Sequence, residues 1–313
     1  MKSRVLVVGD VMTDIIVKPE GPIVMGSDRR AQIRTRPGGS GANQAVWLGA
    51  AGADVVFAAR VGTSDVDNLG RHFRELGVTP ALSGDADLPS GVLVTIVAPD
   101  GERSFLTDRG ANLNLGADDL PPALLDGVGF VMVSGYSLFA PGPRTAVQAL
   151  MARARRRGIA SGIDPASVGF LEDVGAQNFR DWIGPLDWIF ANEDEAKTLT
   201  GSGDLATQMR VLGEQFEHVV IKRGRLGAAL GGRDGISHQQ AAPKVRVVDS
   251  TGAGDAFAGG FVAGLVRGAS MDQCLAAGIA QGAAAVQTIG GQPVQAARDD
   301  QCGSCASATP SSQ

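Results

Sequence analysis

The segment DSTGAGDAFAGGF, residues 249–261, carries most of the information about the fold and chemistry of this chain. A β-branched run at 245–248 precedes it, and a helix-compatible stretch at 256–267 follows. This order predicts that residues 251–255 form the turn into a late helix. Three successive small residues in that turn leave backbone N–H groups accessible, and the helix N-terminus adds partial positive charge. The segment therefore predicts a site for an anion at Gly252, Ala253 and Gly254.

Asp255 ends this turn and is the candidate catalytic base, because phosphoryl transfer needs a group that takes a proton from the attacking hydroxyl. Taken alone, the loop fits equally well an ordinary glycine-rich turn in which Asp255 caps the helix. Two rival nucleotide motifs are excluded. The chain has no Gly-Lys pair and hence no P-loop, and Phe257 stands where GxGxxG requires its third glycine.

The bulk composition favours one large α/β domain with a sizeable core, since 44% of the 313 residues are hydrophobic and 19% are charged. A net charge of −5 disfavours a nucleic-acid-binding face. The chain shows neither an apolar run of membrane-spanning length nor a signal-peptide pattern at its start, so we expect a cytoplasmic protein with no membrane partner. Cys302 and Cys305 lie in a small, polar segment, 298–313, that we expect to be a disordered tail.

Apolar runs alternate with amphipathic stretches along most of the chain. Strands are predicted at 4–9, 54–59, 129–134, 159–163, 188–191 and 218–221, and helices at 43–51, 143–157 and 205–216. This alternation predicts an α/β fold with a mostly parallel central sheet and helices on both faces.

Two extended regions, at about 11–36 and 91–112, interrupt the alternation, and Pro-Asp-Gly at 99–101 is a hairpin-turn signal. We expect them to form a small β-sheet lid that covers a substrate and excludes water. An exposed edge of such a lid also invites a homodimer through lid pairing.

Three motifs together resemble the PfkB (ribokinase-like) carbohydrate kinases. They are residues 249–261, the glycine motif PGGSGANQA at 37–45, and NEDE at 192–195, in matching order over residues 4 to about 293. The resemblance implies a ribokinase-like fold over residues 1–297. It also implies ATP-dependent, Mg²⁺-assisted phosphorylation of a hydroxyl, expected to be a primary CH₂OH, on a small sugar or sugar-like molecule.

The resemblance also assigns roles to individual residues, with Asp255 as base and the 252–255 turn as anion hole. Expected contacts to the sugar are Asp14, Gly38, Gly39 and Asn43, and expected neighbours of the nucleotide are Asn192, Lys222, Gly224 and Gly227. Glu195 matches a magnesium-side carboxylate that acts through water. A K⁺ site is expected at Asp249, Thr251, Ala285 and Gly290.

The acceptor itself stays open. Met12 and Ser40 depart from the ribokinase pattern, so ribose is not favoured. Tyr136 would stack on a substrate ring or simply fill the core. Arg109 would pair with a substrate carboxylate or form a surface salt bridge. Similarity of local segments keeps 2-keto-3-deoxygluconate and pseudouridine or adenosine-like nucleosides as alternative acceptors. From other classes, a non-catalytic sugar sensor and a nicotinamide oxidoreductase are considered, but the intact base and the missing GxGxxG speak against them.

Overall fold

The computed structural model describes residues 4–98 and 103–293. Its strands are β1 Arg4–Val8, β2 Met12–Pro19, β3 Ala31–Gly38, β4 Asp54–Gly62, β5 Val78–Asp85, β6 Gly91–Val97, β7 Arg103–Asp108, β8 Val128–Ser134, β9 Ala160–Asp164, β10 Trp188–Asn192, β11 His218–Lys222, β12 Ala228–Gly232 and β13 Gly235–Gln240. Its α-helices are α1 Ser40–Ala50, α2 Val66–Glu75, α3 Pro141–Arg156, α4 Val168–Val174, α5 Ala176–Ile183, α6 Glu193–Thr200, α7 Leu205–Leu212, α8 Ala253–Val266 and α9 Met271–Ala285.

The larger sheet has nine strands in the order β13-β12-β11-β10-β9-β8-β1-β4-β5. The seven strands from β11 to β5 pair in parallel, whereas β12 and β13 add an antiparallel hairpin at one edge. Parallel strands need a crossover, and the intervening helices supply it while covering both faces of the sheet. The predicted α/β fold class is confirmed.

Successive side chains of β1 show how one strand serves two cores. Val5 and Val7 point into the cluster that contains α1, α8 and α9, and Leu6 and Val8 point into the cluster that contains α3 and the short helices after it. All four are fully buried. Because side chains of a strand alternate between faces, a continuous apolar run is what a strand buried on both sides requires.

All six predicted strands occur, with small shifts of boundary. The strand predicted at 159–163 is Ala160–Asp164, and the helix predicted at 205–216 ends at Leu212. The helix predicted from 43 begins at Ser40, so Asn43 lies inside α1. Sequence analysis did not identify β5, β12 or β13. Five of the six residues of β13 are polar or glycine, and half-exposed edge strands of this kind lack the apolar signal.

The smaller sheet has four strands in the order β3-β2-β6-β7. Strand β2 pairs antiparallel with β3 and parallel with β6, and β6 pairs antiparallel with β7. A separate small sheet was predicted from these two extended regions and is confirmed. The predicted turn at 99–101 and the predicted tail at 298–313 lie outside the described residues. Within the described chain, no helix is long and apolar enough to cross a membrane.

Candidate active site

One cavity of about 740 Å³ lies between the carboxyl ends of the parallel strands and the small sheet. It brings together fifteen of the predicted site residues: Asp14, Gly39, Asn43, Arg109, Tyr136, Asn192, Glu195, Lys222, Gly224, Gly227, Thr251, Gly252, Ala253, Gly254 and Asp255. Four others, Gly38, Asp249, Ala285 and Gly290, do not line it. Crevices at the carboxyl ends of parallel strands are the usual ligand sites of open α/β sheets.

The glycine-rich segment opens α8, as predicted, but the helix begins at Ala253, so the turn itself is shorter than the predicted 251–255. Gly252 is the N-cap residue with φ +73°, and a Cβ there would lie 2.5 Å from the Cα of Gly291, so only glycine suits this position. The amide of Ala256 donates to the Gly252 carbonyl at 2.8 Å. The amides of Gly254 and Asp255 therefore lie in the first turn, before the first i→i−4 bond, where N–H groups lack an intrahelical partner and can bind an anion.

Asp255 is the third residue of α8 and is not its cap. Its Oδ1 accepts hydrogen bonds from Ser40 Oγ at 2.7 Å and Gln44 Nε2 at 3.2 Å, and its Oδ2 accepts one from Asn43 Nδ2 at 3.2 Å. Burial, followed by the nearby Asp164 carboxylate, raises the pKa of Asp255 above that of an ordinary aspartate. A carboxylate held in this way is oriented by three donors and is a better proton acceptor than an exposed one.

The first turn of α1 is anchored by Asp10, which follows β1. Asp10 accepts hydrogen bonds from the amides of Ser40 and Gly41, both at 3.2 Å. Gly39 has φ +97°, and a Cβ there would lie 2.6 Å from the Asp10 carbonyl oxygen. This tight approach explains the glycine at 39 and fixes the direction in which α1 presents Asn43 to the cavity.

Asp14 reaches the cavity from β2 and is 6% exposed. Its Oδ1 is buried and has no hydrogen-bond partner among the described residues. A Cβ on Gly38 would overlap the Asp14 carboxylate, which explains the glycine on the facing strand β3. Burial, with the Asp10 and Asp249 carboxylates, raises the pKa of Asp14 to about 7. An orphaned buried oxygen of this kind is suited to a donor supplied by a ligand.

Tyr136 and Arg109 line the same cavity as Asp14 and contact one another. The guanidinium of Arg109 lies over the Tyr136 ring, 4.8 Å from its centroid, and Nη2 donates to the Tyr136 carbonyl at 3.3 Å. Tyr136 also packs edge-on against Phe139 and Phe170. Burial raises the pKa of Tyr136 to about 12. Tyr136 therefore packs against neighbouring aromatic rings and also lines the cavity.

Asn192 and Glu195 bind one another at the start of α6. Asn192 Oδ1 accepts from the Glu195 amide, and Glu195 Oε2 accepts from the Asn192 amide, each at 2.8 Å. This capping box leaves the Glu195 carboxylate 2% exposed, yet at the cavity wall. Burial raises the pKa of Glu195, the neighbouring Lys222 ammonium lowers it, and the Asp164 carboxylate raises it further.

Gly224 and Gly227 border the cavity between β11 and β12, with φ values of +51° and +92°. A Cβ on Gly227 would overlap the carbonyl oxygen of Gln240. A side chain at 227 would thus push β13 away, so this border of the cavity depends on glycine.

Three of the four residues predicted for a K⁺ site are hydrogen-bonded to one another. Asp249 Oδ1 accepts from the Thr251 amide at 3.0 Å and from Thr251 Oγ1 at 2.8 Å, and Oδ2 accepts from the Gly290 amide at 3.1 Å. The Ala285 carbonyl instead accepts two hydrogen bonds from Thr288, at 3.1 and 3.2 Å. The buried carboxylate suits a cation, whereas the Ala285 oxygen is already occupied.

Sequence analysis missed the roles of Asp10, Asp164, Gln44 and Ser40 around this cavity. Lys222 Nζ donates to Asp164 Oδ2 at 2.6 Å. Asp10 and Asp164 each stand at or just after the end of a buried strand, a signal that could have identified them. Ser40, the first residue of α1, was noted only as a departure from a motif, although the i, i+4 spacing places it on one helix face with Gln44.

Comparison with known proteins adds three findings. A model of the family described as pfkB family carbohydrate kinase matches residues 2–297. The chain is 29% identical over 300 residues to a fructokinase of Klebsiella pneumoniae, covering 93% of this chain and 92% of the relative. It is 32% identical over 298 residues to an aminoimidazole riboside kinase of Salmonella typhimurium, covering 88% and 85%.

The fold is shared with solved structures as well. A putative ribokinase II from E. coli, in complex with ATP and Mg²⁺, superposes with a TM-score of 0.81 at 21% identity, covering 92% of this chain and 94% of that one. This likeness agrees with the ribokinase-like architecture predicted from the three motifs.

Proposed function

The chain belongs to the pfkB family of carbohydrate kinases, and on that premise we propose that Asp255 is the base in its transfer of phosphoryl from ATP to a primary hydroxyl. Membership confirms the predicted class, an ATP-dependent phosphotransferase acting on a small sugar or nucleoside. One observation carries the proposal. The Asp255 carboxylate faces the cavity beside the first-turn amides of α8, held by Ser40, Asn43 and Gln44.

In the proposed reaction, Asp255 accepts the hydroxyl proton while the acceptor oxygen forms a bond to the γ-phosphorus. The bond between that phosphorus and the oxygen bridging to ADP breaks, and ADP leaves with the electron pair. The amides at the start of α8 stabilise the negative charge that develops on the transferred group. Because these amides are fixed by the turn at Gly252, they need no reorganisation during transfer.

The nucleotide is proposed to lie along Lys222, Gly224 and Gly227, with Asn192 close to its phosphates. Glu195 offers the carboxylate chemistry that Mg²⁺ prefers, and it borders the same part of the cavity, so it fits a water-mediated contact. When bound, Mg²⁺ supplies charge neutralisation on the phosphates. The K⁺ proposal is retained for Asp249, Thr251 and Gly290.

The acceptor is proposed to bind between Asp14 and Tyr136. The orphaned Asp14 Oδ1 accepts a sugar hydroxyl, and Asn43 adds an amide whose Oδ1 is likewise buried and unpartnered among the described residues. Gly38 and Gly39 support this contact through their turn. Tyr136 lines this end of the cavity, and an aromatic side chain there suits a riboside as well as a sugar.

A second acceptor class is favoured by Arg109. Within the described chain, the partner of its guanidinium is a neutral carbonyl and a ring, with no carboxylate. A sugar acid such as 2-keto-3-deoxygluconate would supply the missing anion. Adenosine-like and pseudouridine-type nucleosides remain the neutral alternatives.

A phosphorylation screen tests the proposal. Ribose, fructose, 2-keto-3-deoxygluconate, adenosine, pseudouridine and aminoimidazole riboside are each offered with Mg²⁺-ATP, with and without K⁺, and ADP formation is followed. We expect ADP formation that depends on one acceptor class and is abolished by Asp255→Asn. A sugar that shifts the melting temperature while no ADP is formed would instead support a non-catalytic sensor.

We also propose that the small sheet acts as a lid within a single kinase domain and pairs with a second copy. Ile33, Val17 and Ile96 stand at paired positions on the face opposite to Asp14, and Ile33 is 63% exposed. If a second copy covers this face, Ile33→Lys will halve the mass measured by light scattering. If the wild-type protein already has the mass of a monomer, pairing is rejected.

A further inference from the structure

Asp164 and Lys222 form a buried ion pair, of which the proposed function uses only Lys222, as a neighbour of the nucleotide. They end β9 and β11, the two neighbours of β10, and their side chains are 5% and 10% exposed. Lys222 Nζ donates to Asp164 Oδ2 at 2.6 Å. A buried ion pair contributes little net stability over an apolar replacement, because desolvation offsets the attraction. Stability therefore gives no sufficient reason for charges at this place.

The ammonium group is placed against the turn that opens α8. A Cβ built on Gly254 would lie 3.1 Å from Lys222 Nζ and would contact its Cε and Cδ as well. Gly254 is the residue whose amide lies in the first turn of the helix. The cation and the amides thus face the same part of the cavity, and both Lys222 and Asp164 line that cavity.

The orientation of Asp164 is fixed by its own backbone. Its Oδ1 accepts from the Ala166 amide at 3.3 Å, and Ala166 has φ +85°, the one non-glycine residue in this region of φ among those described. On the other side, a Cβ on Gly135 would lie 2.7 Å from the Asp164 carbonyl oxygen. Strained backbone of this kind persists where the surroundings over-determine a position, and it concentrates at functional sites.

The charges around Lys222 keep it protonated. Burial lowers its pKa, but the Asp164 and Glu195 carboxylates more than offset this, so the pKa of Lys222 is raised. The charged groups that face Asp255 are Asp164, Lys222 and Glu195. One ammonium is therefore shared among three carboxylates, and an arriving phosphate would compete with them for its N–H groups.

We propose that Lys222 contacts the transferred phosphoryl group and that Asp164 is its positioning residue. Asp164 holds the ammonium against Gly254 until a phosphoryl oxygen accepts one of its N–H groups. No covalent bond changes in this step, since a hydrogen bond from Nζ passes from carboxylate to phosphoryl oxygen. The inference rests on the proposed function. It adds that Lys222 contacts the transferred phosphoryl group and that Asp164 holds Lys222 in position for this contact.

Calorimetry with two nucleotides tests the contact. Mg²⁺-ADP and a non-hydrolysable ATP analogue with Mg²⁺ are titrated into wild type, Lys222→Met and the matched control Lys197→Met, an exposed lysine on α6. We expect Lys222→Met to weaken binding of the ATP analogue by roughly 10- to 100-fold, the range for a hydrogen bond to a charged group. Binding of ADP should change less than about threefold, because ADP lacks the transferred group.

Since Lys222→Met leaves Asp164 buried without its counter-ion, the double variant Asp164→Asn with Lys222→Met serves as a fold-safe comparison. It should lose the preference for the ATP analogue to the same extent, whereas Lys222→Arg should restore part of it. Equal weakening for both nucleotides, or none, overturns the inference while leaving the kinase proposal intact. Wild type that binds neither nucleotide overturns both.

The positioning role of Asp164 has its own readout. With an acceptor identified by the screen, we expect Asp164→Asn to lower kcat by roughly 10-fold and to move the acidic limb of the pH profile to lower pH, because Asp164 raises the pKa of Asp255. Lys222→Met should move that limb to higher pH, because Lys222 lowers the same pKa. Asp173→Asn, on an exposed face of α4, is the control. A profile unmoved in both variants would leave the pair only a structural role and overturn the assignment.

Discussion

The two ends of the cavity are built in different ways. At the phosphate end, Lys222, Asp164 and Asp255 project from strand ends and a helix turn of the large sheet, and each side chain already has partners within the protein. At the acceptor end, Asp14 comes from the small sheet and keeps an unpartnered oxygen. The phosphate end is thus pre-organised for one group that never varies, whereas the acceptor end leaves its hydrogen bonds to the ligand.

The strongest test of this contrast removes the base. Asp255→Asn retains the shape and the Ser40 contact but cannot take a proton, so kcat should fall by about 10²- to 10⁴-fold. Affinity for ATP, measured by calorimetry, should stay within a few-fold of wild type. Asp234→Asn, on an exposed turn, is the matched control. Turnover close to wild type would remove Asp255 from the mechanism.

At the acceptor end, Asp14→Asn should act on acceptor binding and leave the nucleotide alone. A carboxylate oxygen that accepts a hydroxyl contributes about 1.5–3 kcal/mol, so kcat/KM for the acceptor should fall by roughly 10- to 150-fold. Affinity for ATP should not change. If both substrates were affected equally, the two ends would not be independent in the way described above.

The rigidity of the phosphate end can be measured as stability. Gly252→Ala places an alanine at φ +73°, against Gly291, whereas Gly52→Ala places one at φ +79° with open space around it. The left-handed conformation alone should cost about 1–2 kcal/mol in each variant. Urea unfolding should show a larger loss for Gly252→Ala, because of the close backbone contact. Equal losses would mean that the backbone at Gly291 moves away from the added methyl group at little cost.

At the acceptor end, the buried Asp14 carboxyl should make the stability of the fold depend on pH. Because the folded-state pKa of Asp14 is raised to about 7, the folded protein binds this proton more tightly than the unfolded chain. The contribution of Asp14 to stability is therefore greatest at acidic pH and is lost as pH rises through 7. Melting temperatures of the ligand-free protein at pH 5 and pH 8 should differ less in Asp14→Asn than in wild type. The same pH difference in both proteins would contradict the assigned pKa.

How much of this could be predicted from sequence differs between the same two ends. The turn at 252–255 and the Asn192–Glu195 pair lie in short contiguous motifs, where local backbone rules determine geometry. Ser40 and Asp164 act across the fold, 215 and 58 residues from their partners Asp255 and Lys222. Such contacts depend on strand order, which motif spacing does not encode. The exposed strand β13 was not predicted for a related reason, because its register depends on pairing with β12.

The threading of the small sheet has a consequence for folding. Its central pair joins Met12 to Gly91 in parallel, and the chain between them includes α1, β4, α2 and β5, of which β4 and β5 belong to the larger sheet. Parallel pairing over such a separation carries a loop-closure cost that is repaid only after the large sheet has brought both segments together. The small sheet should therefore order last during refolding, and its amide hydrogens should exchange first in the native state. Refolding that is quenched early should yield molecules in which the phosphate end of the cavity is formed and the small sheet is not.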